Sequence, residues 1–182
     1  MPDTFIALLR GINVGTAKRV AMADLKKLVE GLGYGNVRTL LNSGNVVFTG
    51  PNSAGKDAGA KIEKAIATRL GVTSRVTVID AATVHDAIGH PLGKVAKEPR
   101  RLLVAVLASA ADRSLLAPLA KQKWTPEALA IGDRVAWLWV PNGQIESPLA
   151  IATWKALGDR VTARNLATML KLQAMVEGGA TP

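Results

Sequence analysis

Within the first 80 residues the sequence changes hydrophobic period in an order that few folds accommodate. "TFIALL" (4–9) is an almost continuous apolar run, the pattern of a strand covered on both faces. "AMADLKKLVEGLG" then sets Met22, Leu25, Leu28, Val29 and Leu32 at helical spacing, with Gly33 suited to stop the helix. "VRTLLN" (37–42) and "NVVFTG" (45–50) flank Ser43-Gly44, a hairpin signal. Residues 56–70 return to helical spacing through Ile62, Ala65, Ile66 and Leu70, and "RVTVID" (75–80) alternates as a strand. The order is β-α-β-β-α-β, which predicts an α+β fold opening with a ferredoxin-like unit. In that plan the first and third strands occupy the middle of an antiparallel sheet. The outer strands can then carry polar residues such as Arg38, Asn42, Arg75 and Thr77.

The remainder reads as a second, smaller α+β unit with C-terminal helices. Asp80 can cap a helix through about Gly89, and "GHPLGKVAKEPR" (89–100) breaks every periodicity. The expected organisation is therefore a ferredoxin-like domain over 1–90, a linker over 91–100 and a second domain over 101–178. In the second domain, 101–109 and 134–141 read as strands. "DRSLLAPLAK" reads as a helix, Ser147-Pro148 opens another, and 162–176 closes the chain as a last helix before the flexible tail "EGGATP". No internal repeat is visible in the sequence.

The 182 residues are 48% hydrophobic, enough for a core, and no apolar run approaches the roughly 20 residues of a membrane helix. The N-terminus carries an acid where a signal peptide would be positive, so a soluble cytoplasmic protein without membrane partners is expected. The absence of cysteine excludes disulfides, thiolate metal sites and cysteine nucleophiles. The net charge of +9 is spread evenly, +4 over residues 1–93 and +5 over 94–182, so no basic arm for nucleic acid stands out.

The predicted strand order gives "LLRGINVG" (8–15) a meaning. Strands 1 and 2 run the same way and strand 3 returns between them, so Arg10, Asn13 and Gly15 should leave the sheet at the rim where Asn42, Ser43, Gly44 and Asn45 turn. One guanidinium, several amides, a hydroxyl and glycine-exposed N–H groups suit a carboxylate or phosphate. Asn and Gly also dominate turns for conformational reasons alone. "GINVGTAK" is not a P-loop and GxGxxG is absent. Over 162–176, Thr162 is the expected N-cap, and Arg164, Thr168 and Lys171 share one helical face beside Asn165. Arg160 and Arg164 would then crowd the positive end of the helix dipole, a conflict that a bound anion relieves and a solvated face tolerates.

Other chemistry is thin. His85 and His90 have no ligand-type partners, so no metal is expected, and nothing calls for a cofactor. Ser43 has no evident base and no general base stands out elsewhere, so the catalytic residues are unknown and no reaction is assigned. Trp137 and Trp139 alternate onto one strand face, a pattern of core or contact more than of a stacking platform.

The stretches "ALLRGINVG", "VRTLLNSGNVVF" and "VTARNLATMLKL" resemble, in order, the bacterial family catalogued as domain of unknown function 1697. The resemblance implies a two-part α+β fold and brings no activity, cofactor or catalytic residues. The third stretch departs from the usual family form at Leu166 and Ala167, where an aromatic and a polar residue are customary, while Arg164, Asn165, Thr168 and Lys171 match.

Three functions compete. The first is a binding or enzymatic domain that holds an anionic small molecule or nucleotide between the rim and the last helix. Arg10 and Arg164 would supply charge, and Asn13, Ser43, Asn45, Asn165 and Lys171 would orient the ligand. The second is RNA binding on the same topology through Phe5 and Phe48, although "SGNVVFTG" lacks the RNA-recognition signature. The third is a protein-interaction module using the tryptophans.

Overall fold

A computed structural model describes residues 3–178. Among the described residues, two four-stranded antiparallel sheets and six α-helices make an α+β protein. The chain divides into two compact units, 1–81 with 172–182 and 82–171. Of the tail expected at 177–182, residues 179–182 lie outside the described residues.

Unit 1 contains β1 (Asp3–Leu9), α1 (Met22–Gly31), β2 (Gly35–Leu40), β3 (Asn45–Gly50), α2 (Ala54–Leu70) and β4 (Val76–Asp80), with sheet order β2-β3-β1-β4. The apolar strands β1 and β3 are central, and the polar-bearing strands are the edges, as their patterns require. Phe5, Ala7 and Leu9 point into a core with Val46, Phe48, Leu25, Val29, Ile62 and Ile66, so α1 and α2 cover this face. On the other face Ile6, Leu8, Val47 and Ile79 are buried too, which explains why β1 shows no alternation.

Unit 2 holds α3 (Ala81–Ile88) but for its first residue, then β5 (Leu102–Leu107), a 3₁₀ segment (Ala110–Leu116) running into α4 (Ala117–Ala120), β6 (Ala128–Ile131), β7 (Val135–Trp139), α5 (Pro148–Leu157) and β8 (Val161–Asn165). Its sheet order is β6-β7-β5-β8. Element for element this repeats unit 1: strand, helix, hairpin, helix, strand, with the first and third strands central. The repeat is one of topology, which is why it escapes a search for sequence self-similarity. The last helix, α6 (Leu166–Val176), starts in unit 2, and its residues from Leu172 onward belong to unit 1.

Two strands correct the sequence reading. β6 falls between the expected elements, and β8 takes residues 161–165, four of which were expected to be helical. Helix propensities for Val and Thr fall within about 0.7 kcal/mol per residue of alanine. Leaving the buried edge of β5 unpaired would cost about 1–3 kcal/mol for each orphaned group. Pairing wins, and β8 runs in register with β5 from Leu103↔Asn165 to Leu107↔Val161. Thr162 is therefore a buried strand residue. Asn165 caps α6 in its place, its Oδ1 accepting from the Thr168 N–H and hydroxyl at 2.9 Å each.

Candidate functional site

The rim at the end of β1 is assembled as the strand order requires. The Leu9 N–H donates to the Gly44 carbonyl at 2.9 Å, and the Arg10 N–H to the Arg75 carbonyl at 2.9 Å. Gly44 has φ +84°, and a Cβ there would meet Ile12 Cδ1 at 2.6 Å and Leu9 Cβ at 2.8 Å. Glycine is what lets the hairpin turn close on the end of β1.

Asn13 ties the long loop down. Its Nδ2 donates to the carbonyls of Val20 (2.8 Å) and Asn42 (2.7 Å), and its Oδ1 accepts from the Val20 N–H (2.9 Å). Its φ of +54° is one that asparagine tolerates better than most residues. Asn45 is fully buried and donates to the Leu40 carbonyl (2.7 Å) and Ser43 Oγ (3.0 Å), which closes the turn from inside. Both amides are thus occupied in building the rim. Gly15 stands exposed in the loop, and Arg10 is half-buried just past the end of β1.

Below this rim lies a cleft of about 480 Å³, lined by Asn13, Arg19, Val20, Ala21, Asp24 and Asn42. Arg19 and Asp24 were not foreseen from the sequence; the cue available was their position on either side of the helix start. α1 begins there without a side-chain cap, Ala21 being the extended residue before it, so its first N–H groups have no side-chain partner. Asp24 also borders a smaller hollow of about 230 Å³ with Lys27, Leu28, Arg69 and Leu70.

Unit 2 supplies an internal comparison, because its equivalent rim makes the same backbone bonds. Leu107 N–H donates to the Arg134 carbonyl (2.9 Å) and Ala108 N–H to the Arg160 carbonyl (2.8 Å). Here the rim closes on itself. Ser109 and Asp112 form a capping box, Asp112 sits 3.7 Å from Arg160, and Arg113 pairs with Asp133. In unit 1 Arg10, Lys18 and Arg19 form no ion pair among the described residues. The same scaffold thus carries one self-neutralised rim and one open basic rim.

The residues expected on the last helix separate. Arg164 is on β8, opposite Val104 in the row Ala130–Trp137–Val104–Arg164, so it shares no helical face with Thr168 and Lys171. It is half-buried, its Nη1 donates to the Ala163 carbonyl at 2.8 Å, and burial lowers its guanidinium to about 10. It therefore stays charged at neutral pH. Asn165 and Thr168 are joined by the cap of α6, and Lys171 is exposed.

Phe5 and Phe48 are a cross-strand pair with ring centroids 5.8 Å apart, yet both lie in the core beneath α1 and α2. Neither presents a face on which a base could stack. Trp137 is buried, its indole N–H donating to the Ala87 carbonyl at 2.7 Å. Among the described residues no group of His, Asp and Glu could hold a metal ion, and no helix is long and apolar enough to cross a membrane.

Fold and site together define an α+β protein of two topologically repeated units with an open polar cleft on the first. The chain belongs to the family described as "Protein of unknown function (DUF1697)", whose model matches residues 3–137. It is similar in structure to the conserved bacterial protein SP0830 from Streptococcus pneumoniae, with a TM-score of 0.72 and 20% identity, over 97% of this chain and 99% of that one. No curated protein matches.

Proposed function

We propose that the rim of the first sheet binds an anionic small molecule, a phosphorylated metabolite or nucleotide, in the cleft beside Arg19. The observation that carries this reading is the contrast between the two rims. In unit 2 the capping box and the carboxylates of Asp112 and Asp133 occupy the corresponding rim, and in unit 1 the helix start is uncapped and the cations face solvent. An anion in the unit 1 cleft would do what those carboxylates do, aided by the helix dipole. Arg19 and Arg10 supply charge, exposed Gly15 allows close backbone approach, Ser43 offers a hydroxyl, and Gly44 lets the turn close. Asn13 and Asn45 hold the geometry. Arg164 lies on β8, Asn165 and Thr168 are joined at the start of α6, and Lys171 is exposed on that helix.

We read the first unit as the ferredoxin-like plan, the protein as cytoplasmic, and 91–100 as the connecting segment ahead of β5. Titration calorimetry with nucleotides and sugar phosphates tests the ligand reading on wild type, Arg10→Ala and Arg19→Ala. Binding by wild type that weakens at least about tenfold in Arg19→Ala, the loss of one charge-assisted contact, is expected. Equal binding by all three proteins, or binding by none, overturns it.

A further inference from the structure

The cleft contains more than a site for an anion needs. Arg19, Asp24 and Asn42 all line it and are all exposed. Among the described residues none of their side chains makes a hydrogen bond or an ion pair. Arg19 and Asp24 carry opposite charges on one cleft and form no ion pair with each other. Lys27 and Arg69, which border the neighbouring hollow with Asp24, form no ion pair with it either.

A simple anion would meet Arg19 and leave Asp24 without a partner. A ligand carrying both charges would satisfy both walls, with the Asn42 amide free to donate to its acid group or accept from its amine. Two exposed apolar side chains flank the same rim, Val14 at 72% and Leu41 at 49% exposure, and they stand next to Asn13 and Asn42, which are joined by the 2.7 Å bond across the rim. Leu41 holds φ +58°, a conformation that leucine rarely adopts. The cleft volume of about 480 Å³ falls in the range of small-molecule sites.

We infer that the cleft selects a zwitterion of amino-acid or dipeptide size, its carboxylate toward Arg19, its ammonium toward Asp24 and an apolar side chain against Val14 or Leu41. This rests on the anion reading above and narrows it. No bond is made or broken in this step; it is recognition by paired charges.

Calorimetry with glycyl-leucine, N-acetylglycyl-leucine and inorganic phosphate separates the two levels. Wild type should bind glycyl-leucine about tenfold more tightly than its acetylated form, the worth of one charge-assisted contact. Asp24→Asn should erase that preference while keeping phosphate binding, and Arg19→Ala should weaken all three probes. Both substitutions are at exposed positions, and melting temperatures confirm that the variants are folded. Equal affinity for the two dipeptides, or a preference that survives Asp24→Asn, overturns the zwitterion inference and leaves the anion reading standing if phosphate binds. Binding of no probe at all overturns both.

Discussion

Gly44 and Asn13 show how far a single residue can decide whether the rim exists. In Gly44→Ala the new methyl would press on Leu9 and Ile12 while the backbone keeps φ +84°. Left-handed strain of roughly 1–2 kcal/mol and overpacking of roughly 1–3 kcal/mol should together destabilise the protein by about 2–5 kcal/mol, read from urea unfolding. Asn13→Ala removes three hydrogen bonds and should cost about 3 kcal/mol at about 1 kcal/mol each. Tyr34, the chain's single tyrosine, gives a pH signal. Burial first, and then the nearby Asp57 carboxylate, raises its phenol above 10.0. A raised folded value for an acid means that its stabilisation is complete below the unfolded value and is lost as pH rises through the folded one. Tyrosinate absorbance should therefore appear later in the folded protein than in urea. Tyr34→Phe should flatten the part of the alkaline stability loss that begins above pH 10.0.

At the scale of elements, the trailing helices are each finished by a side chain borrowed from a sheet. The Trp137 indole donates to the Ala87 carbonyl near the end of α3, and Arg38 donates to the Met175 carbonyl near the end of α6 at 2.6 Å. Both satisfy carbonyls that a helix end leaves without an intrahelical partner, and a cation there also suits the dipole. Trp137→Phe keeps most of the apolar burial but orphans the Ala87 carbonyl, so a loss of about 1–3 kcal/mol is expected in thermal unfolding. These elements also mark where sequence reading succeeds. β1, β3, α1 and α2 were legible because each carries its own period and buries it within unit 1. β6 and β8 were not, because a short edge strand is defined by the neighbour whose backbone it pairs. Residues 162–176 look helical at every position from Thr162, and only β5 converts the first four to strand.

Over the whole molecule, two units share one topology and differ in what closes their rims. That difference predicts stoichiometry: a phosphorylated ligand should bind at one site per chain, because Asp112 and Asp133 already neutralise Arg160 and Arg113 in unit 2. A calorimetric titration giving two equivalent sites would contradict it. Of the candidate site, Arg10, Asn13, Gly15 and the Ser43-Gly44-Asn45 turn were reachable from sequence, since strand order alone brings the two loops to one edge. Their roles were not. Asn13 and Asn45 proved to be occupied by backbone carbonyls, while Asn42, already expected at the turn, lines the cleft with Arg19 and Asp24, which only the structure brought in.

By itself the sequence determined the alternation of strands and helices in the first 80 residues and the centrality of its two apolar strands, because period and burial are properties of a local segment. Only the tertiary structure decided the repeat of the same topology in the second half, the strand at 161–165 and which polar side chains are left unpaired. Those depend on which backbone edge or carbonyl lies alongside, and no local pattern encodes the identity of a distant neighbour.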